Sequence, residues 1–173
     1  MITILTSPVV CSSHGSRREA EVAASASLAR RVAGPEAVIE HYPDGAPFIP
    51  GFPLHISLSH CRTLAVIAVS SEPDIGVDAE VWREQLHRVA GKFLSPEETP
   101  VWGASPRLLL LAWTIKEAVY KAARTPGLPL HGIVLPHPDS SPLTAATPDG
   151  RSWLIASEMH NEVRVTTASV YNF

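Results

Sequence analysis

The chain has 173 residues, of which 45% are hydrophobic and 18% are charged. This composition indicates a globular protein with a packed core, as one domain or two small subdomains, and excludes an intrinsically disordered chain. The net charge of −3 gives no reason to expect nucleic acid as a partner.

The sequence carries no sign of secretion or of a disulfide framework. Cys11 and Cys61 are the two cysteines, and no CxxC occurs, which argues against a disulfide scaffold and a cysteine-ligated zinc site. The first residues lack the basic and apolar regions of a signal peptide. The longest wholly apolar run, Leu108–Trp113, is far too short for a membrane span. We therefore expect a cytoplasmic protein without a membrane partner.

The first half of the chain predicts a helix followed by a hairpin. The helical pattern runs from Arg17 to Val32 and ends before a glycine and a proline. Leu54–Ser59 alternates between apolar and polar residues, whereas Leu64–Val69 is nearly all apolar and is predicted to be buried on both faces. The four residues between them fit a hairpin connection. Shorter strands are predicted at Ile2–Leu5 and Ala37–His41.

The second half repeats the order of helix, short strand and hairpin. Its longest predicted helix covers Pro106–Ala123, and a capping box at Ser95–Glu98 predicts a shorter one. Residues 82–91 are also predicted to be helical. Strands are predicted at Ile75–Val81, Ile133–Leu135, Ser152–Ala156 and Val163–Val170, and residues 136–149 show no usable pattern. We therefore predict an α+β protein with two similar subdomains, residues 1–73 and 74–173, and a site in the cleft between them.

One face of the long predicted helix carries groups suited to phosphate chemistry. Trp113, Glu117 and Lys121 follow one another at intervals of four residues, so they share a face, with Lys116 at its border. A carboxylate flanked by two ammonium groups can serve a polyphosphate and a metal. The alternative is an exposed Glu117–Lys121 pair that contributes only about 0.3–0.5 kcal/mol.

Two further carboxylates close the strand at 75–81. Asp78 and Glu80 are two residues apart, so both side chains leave the same face of the strand and can reach one ion. Oxygen ligands together with a phosphate substrate suit Mg²⁺. The alternative is two solvated acids at a strand end.

The segment from Ser57 to His60 places two hydroxyls on one face and ends in an imidazole. Such groups can hold a phosphate. A serine hydrolase is disfavoured because no GxSxG nucleophile elbow is present. The histidines of the chain show no HExxH or similar spacing, which argues against a zinc site.

Taken in order, four motifs resemble those of the 4′-phosphopantetheinyl transferase superfamily. They are Ser57-Leu-Ser-His60, Gly76-Val-Asp-Ala-Glu80, Phe93-Leu-Ser-x-x-Glu98 and Trp113-x-x-Lys-Glu-Ala-x-x-Lys121. Each motif alone is weak, but four in this order are specific. The closer likeness is to the larger pseudo-dimeric type that activates peptide synthetases such as surfactin synthetase. That type has an α+β fold with pseudo-two-fold symmetry.

The resemblance implies an enzyme with holo-acyl-carrier-protein synthase activity. It would move the phosphopantetheine arm of coenzyme A to a serine of an apo acyl or peptidyl carrier protein and release 3′,5′-ADP. It implies Mg²⁺ as the cofactor and a monomer as the active form.

The resemblance also implies roles for individual residues. Asp78, Glu80 and Glu117 would surround Mg²⁺, and Lys116 and Lys121 would face the pyrophosphate. His60, with Ser59 beside it, would contact coenzyme A. Lys121 would assist the leaving phosphate, and either Glu117 or Glu80 would take the serine proton.

One departure from the family pattern concerns coenzyme A binding. Members often carry a basic residue between a glycine and a proline ahead of the serine motif, and here that position is Ala46. Arg17, Arg18 or Arg62 could supply the charge instead. A non-catalytic module that binds coenzyme A or a carrier protein is the alternative function, and a Mg²⁺-dependent hydrolase of small phosphate esters is a third.

Overall fold

The computed structural model describes residues 1–13 and 15–171, which form two sheets, each with a long helix on its outer face. In the first sheet the strand order is β1-β5-β4, and in the second it is β6-β9-β8-β7. All pairings are antiparallel. A separate two-stranded hairpin pairs β2 with β3. The protein is thus of the mixed α+β class, as predicted.

The helices and strands have the following bounds. The helices are α1 at Arg17–Ala33, α2 at Glu84–Val89, α3 at Thr99–Trp102 and α4 at Pro106–Ala123. The strands of the first half are β1 at Ile2–Pro8, β2 at Glu40–His41, β3 at Pro47–Phe48, β4 at His55–His60 and β5 at Leu64–Ser70. Those of the second half are β6 at Ile75–Val81, β7 at Thr144–Ala146, β8 at Ser152–His160 and β9 at Val163–Val170.

Alternating side chains on the central strands build three separate layers of core. On β5, Ile67 and its neighbours of the same parity pack with α1, while Val66 and Ala68 face the second sheet. On β6, Val77 belongs to the layer between the sheets. The third layer lies between α4 and the outer face of the second sheet. The alternation leaves Asp78 and Glu80 on the α4 side of β6.

Two sheet edges meet at β4 and β6 without a backbone ladder. The N–H of Val77 donates to Ser57 Oγ at 3.0 Å, and the N–H of Ala79 donates to Ser59 Oγ at 3.1 Å. The serine hydroxyls thus satisfy edge groups of β6 that would otherwise be buried without partners. This contact joins the two halves of the chain next to Asp78.

Most predicted elements are confirmed, and three have exact bounds: Ile75–Val81, Pro106–Ala123 and Val163–Val170. The hairpin of β4 and β5 is also confirmed. The helix predicted at residues 82–91 is shorter, and the helix after the capping box is a single turn. Of the strand predicted at 37–41, two residues form β2.

The strand predicted at Ile133–Leu135 is wrong. The segment makes one isolated bridge, between Val134 and Ala146. Its backbone instead bonds to side chains: the Ile133 carbonyl accepts from Lys116, and the Leu135 N–H donates to Glu98. Ile133 and Leu135 are both buried, which produces the alternating apolar pattern of a strand. The backbone of the segment nevertheless bonds to the buried side chains of Lys116 and Glu98.

In the described ranges, no helix is long and apolar enough to cross a membrane.

Strand β6 and helix α4 pack backbone against backbone at Gly76. A Cβ atom there would overlap the carbonyl oxygen of Ala118 and lie 2.8 Å from the backbone nitrogen of Ala122. Glycine is therefore required at position 76 by close approach. Because Lys121 directly precedes Ala122, this contact also fixes the position of Lys121 relative to Asp78.

We predict that Gly76→Ala lowers the free energy of unfolding by at least about 3 kcal/mol, the upper part of the usual range for overpacking, because backbone atoms cannot move aside. Urea unfolding measures the change. Gly91→Ala is the matched control, since nothing lies within 4 Å of the added methyl group. Equal stability of the two variants would contradict the close packing of β6 on α4.

Candidate active site

Lys121 and Asp78 form the centre of the candidate site. Lys121 Nζ donates to Asp78 Oδ1 at 2.8 Å, to the Val77 carbonyl at 2.9 Å and to Ser59 Oγ at 3.1 Å. These three bonds use all the donors of the ammonium group. The Lys121 side chain retains 29% exposure, against 9% for Asp78. The lysine therefore presents its charge to solvent while its position is fixed.

Ser59 connects this pair to the contact between the two sheets. Its hydroxyl donates to Asp78 Oδ1 at 2.9 Å and accepts from both the Ala79 N–H and Lys121. A hydroxyl has one donor and two acceptor sites, so all are occupied. Ser59 is buried but still lines the large cleft, and it orients Asp78 and Lys121. Its predicted contact with coenzyme A stays a prediction.

Glu117 lies on the same face of α4 as Lys121, one turn earlier. Burial raises the pKa of Glu117 above its usual value, and the negative charges of Asp78 and Glu80 raise it further, while Lys121 opposes the shift. No residue in the described part of the chain donates a hydrogen bond to this carboxylate. Glu117 is thus a partly buried acid that has neighbouring negative charges and no fixed partner.

Glu80 is the third carboxylate of this region. Arg83 Nη2 donates to it at 2.7 Å, and the Val81 N–H donates to its other oxygen at 3.0 Å. Burial raises the pKa of Glu80, and the charge of Asp78 adds to this, whereas the Val81 N–H and Arg83 oppose it. The partner Arg83 lies three residues after Glu80, a spacing visible in the sequence but not singled out there.

The three carboxylates share one electrostatic environment without converging on a point. Within residues 1–13 and 15–171, no group of three or more His, Cys, Asp or Glu side chains is arranged to hold a metal ion. Asp78 and Glu80 are instead engaged with Lys121 and Arg83. Their role as Mg²⁺ ligands therefore stays a prediction.

Lys116 lies away from this face, in the core. Its side chain has no exposure, and its ammonium donates to Glu98 at 2.6 Å and to the Ile133 carbonyl at 2.7 Å. Burial lowers the pKa of Lys116, and the hydrogen bond and charge of Glu98 offset part of that shift. The sequence predicted that Lys116 faces a pyrophosphate; its burial and its two partners do not fit that role, so we leave it out of the proposed site.

Glu98 explains why the core accepts this lysine. Besides Lys116, its carboxylate accepts the N–H of Ser95 at 3.0 Å and the N–H of Leu135 at 2.8 Å. The capping box predicted at Ser95–Glu98 is present, and its acid also binds the lysine. A buried ion pair with further hydrogen bonds is stable in place, but losing one partner leaves an uncompensated charge.

Trp113 and His60, the remaining residues of the predicted motifs, have different surroundings. Trp113 packs edge-on against Phe93, with ring centroids 5.1 Å apart, and belongs to the border of the core. His60 is 47% exposed, and its Nδ1 lies 3.6 Å from a carboxylate oxygen of Glu21. His60 lines the large cleft described next.

The cleft has a volume of about 1200 Å³. Its walls come from β4, from the β2–β3 hairpin and from the end of α4. Asp78, which is buried, and Lys121 also line it, and we call the part that they form the inner wall. Pockets for small ligands typically measure about 300–1,000 Å³, so this cleft is large enough for a nucleotide-sized molecule. The sequence did not predict that the β2–β3 hairpin forms a wall of the cleft. Strand β3 has only two residues, and the hydrogen bond from Arg124 to Asp44 of the hairpin leaves no periodic signal in the sequence.

Comparison with models of known protein families identifies the family of the chain. The family model described as ACPS, 4′-phosphopantetheinyl transferase superfamily, matches residues 74–168, more than half of the chain. The matched region contains Asp78, Glu80, Glu98, Glu117 and Lys121. It does not include the serine–histidine segment at 57–60, whose resemblance rests on the motif alone. The comparison with curated proteins gives no match.

We predict that Lys116→Met destabilises the protein by about 3–5 kcal/mol, because it leaves the Glu98 carboxylate buried without its counter-charge. Urea unfolding compares this variant with Lys92→Met, which removes an exposed lysine. Adding Glu98→Gln to Lys116→Met should recover part of the loss. If Lys116→Met were as stable as Lys92→Met, the assignment of Lys116 to the core would fail.

We predict that Ser59→Ala costs more stability than Ser57→Ala. Ser59 makes three hydrogen bonds at the contact between the sheets, and Ser57 accepts one. Leaving a buried polar group without a partner costs about 1–3 kcal/mol, so the Ser59 variant should lie at or above the top of that range. Parallel denaturant titrations of the two variants measure the order, and the reverse order would refute the central role of Ser59.

Proposed function

Since the chain belongs to the 4′-phosphopantetheinyl transferase superfamily, we propose that it transfers the 4′-phosphopantetheine arm of coenzyme A to a serine of an apo carrier protein. The serine oxygen forms a new bond to the phosphorus that carries the arm. The bond from that phosphorus to the nucleotide phosphate breaks, and 3′,5′-ADP leaves. The single observation that carries the proposal is the Lys121–Asp78 pair at the inner wall of a nucleotide-sized cleft, within the matched region.

Lys121 is suited to act on the leaving phosphate. Transfer of this kind depends on positioning and on neutralising charge more than on covalent participation by the protein. The lysine is held by three partners and remains partly exposed to the cleft. It therefore provides a fixed positive charge where negative charge develops, without reorganisation during the reaction.

Mg²⁺ is the cofactor that the family implies, and the chemistry of the residues fits it. Asp78, Glu80 and Glu117 offer oxygen ligands only, and their charges act on one another. Two or three such acids in one region favour a cation between them. When bound, Mg²⁺ would neutralise the pyrophosphate and the leaving group. The three acids would hold the cation, and Lys121 would bind the phosphate end of the substrate.

We assign the removal of the serine proton to Glu117 rather than to Glu80. Glu80 is occupied by Arg83 and by the Val81 N–H, whereas the described residues leave the Glu117 carboxylate unbonded. Its pKa is raised, which brings it closer to the range in which a general base works best. Glu117 takes the proton directly or through a water molecule.

We also propose the type of transferase, the boundary between its two halves and its oligomeric state. The helix-on-sheet arrangement of each half supports the pseudo-dimeric type, with the division near residue 73 and a monomer as the active form. His60 on the cleft wall is proposed to contact coenzyme A. The carrier protein is the acceptor of the arm.

We predict that Asp78→Ala and Glu117→Ala abolish transfer while retaining the fold. The loss of activity should exceed the roughly 10–100-fold that is typical of removing a residue that only supports a metal ligand. Intact-mass analysis of an apo acyl carrier protein, incubated with coenzyme A and Mg²⁺, measures the added phosphopantetheine. Glu162→Ala, an exposed acid in the turn between β8 and β9, is the control and should be fully active.

The same assay separates the proposed function from its alternatives. Modification that EDTA abolishes supports the metal-dependent transferase. Binding of coenzyme A without modification of any carrier would indicate a binding module. Release of phosphopantetheine without a carrier would indicate a hydrolase. Full activity of Asp78→Ala or Glu117→Ala would refute the proposed site.

A further inference from the structure

Arg124 occupies a backbone conformation that rarely suits arginine. It caps the C-terminus of α4 with a φ of 48° and a ψ of 32°, in the left-handed region. Glycine is the usual residue at such a position, because a side chain there is unfavourable. Strained residues persist where surrounding contacts hold them, and they concentrate at functional sites.

The contacts that hold Arg124 come from the β2–β3 hairpin in the other half of the chain. Its Nε donates to Asp44 Oδ2 at 2.7 Å, and its guanidinium carbon lies 4.9 Å from the centre of the Tyr42 ring. Tyr42 in turn stacks on Phe48, with ring centroids 4.4 Å apart. The guanidinium plane is therefore fixed by an acid at one edge and by an aromatic ring on one face.

The remaining donors of Arg124 are available to a ligand. Within the described residues, neither Nη1 nor Nη2 donates to any protein group, and the side chain is 34% exposed. Arg124 also lines the cleft, three residues after Lys121, or about 4.5 Å further along the helix axis. Arg17, Arg18 and Arg62, which the sequence offered as sources of charge, do not line the cleft.

We propose that Arg124 binds the phosphate at the nucleotide end of coenzyme A, the 3′-phosphate of the ribose, and replaces the basic residue missing at Ala46. This rests on the function proposed above. A guanidinium with two free nitrogens matches the geometry of a phosphate. Lys121 and Asp78 form the inner wall, where the reacting phosphates belong, and Arg124 lies nearer the hairpin, whose Asp44 it contacts. Ala46 lines the same cleft on that hairpin.

Calorimetry with two ligands tests the proposal. Arg124→Gly removes the guanidinium and relieves the left-handed backbone, so the variant should fold without a lower melting temperature. We expect it to bind coenzyme A at least tenfold more weakly than the wild type. Its affinity for dephospho-coenzyme A, which lacks the 3′-phosphate, should equal that of the wild type. Arg62→Gly is the control and should bind both ligands normally.

The other outcomes overturn the proposal in distinguishable ways. If Arg124→Gly binds coenzyme A as tightly as the wild type, the inference fails and the proposed function stands. If both ligands weaken equally, Arg124 only holds the hairpin, and the inference again fails. A wild-type protein that binds neither ligand overturns the proposed function as well. Restored discrimination between the two ligands in Arg124→Gly with Ala46→Lys would support a phosphate contact at this wall.

Discussion

The hydroxyl of Ser59 is the point on which the candidate site depends. It satisfies an edge N–H of β6, and it orients both the acid and the lysine of the cleft. The two sheets are joined here by side chains instead of a backbone ladder, and Asp78 lies directly beside this junction. The halves of the chain therefore meet where the chemistry is proposed, and the stability of the junction and the geometry of the site share the same bonds.

Two lysines of one motif have different roles because of their positions on one helix. Lys121 lies on the half-exposed face of α4, while Lys116 points into the core, where Glu98 neutralises it. The motif therefore combines a group that meets the cleft with a group that fixes the helix against the loop at 133–135. The acid of the capping box serves both the start of α3 and this ion pair.

Much of the fold follows from the sequence, because burial on alternate faces leaves a periodic pattern. The bounds of β6, α4 and β9 follow from such patterns alone, and so does the shared face of Trp113, Glu117 and Lys121. What could not be predicted depends on contacts between distant segments. The burial of Lys116 requires its partner Glu98, 18 residues away in the sequence. The three hydrogen bonds of the Ser59 hydroxyl form only because β4 lies beside β6. Ile133 and Leu135 mimic a strand because burial alone does not reveal what the backbone bonds to.

The contact of Gly76 with α4 has a consequence for how the site can vary. With no side chain between the strand and the helix, the spacing of Asp78 and Lys121 is set by main-chain atoms. Substitutions that repack the core elsewhere cannot tune this distance in small steps. Substitutions elsewhere in the core therefore leave the inner wall of the cleft unchanged. The opposite wall is built from the side chains of a short hairpin, so substitutions there can change which ligand the cleft prefers.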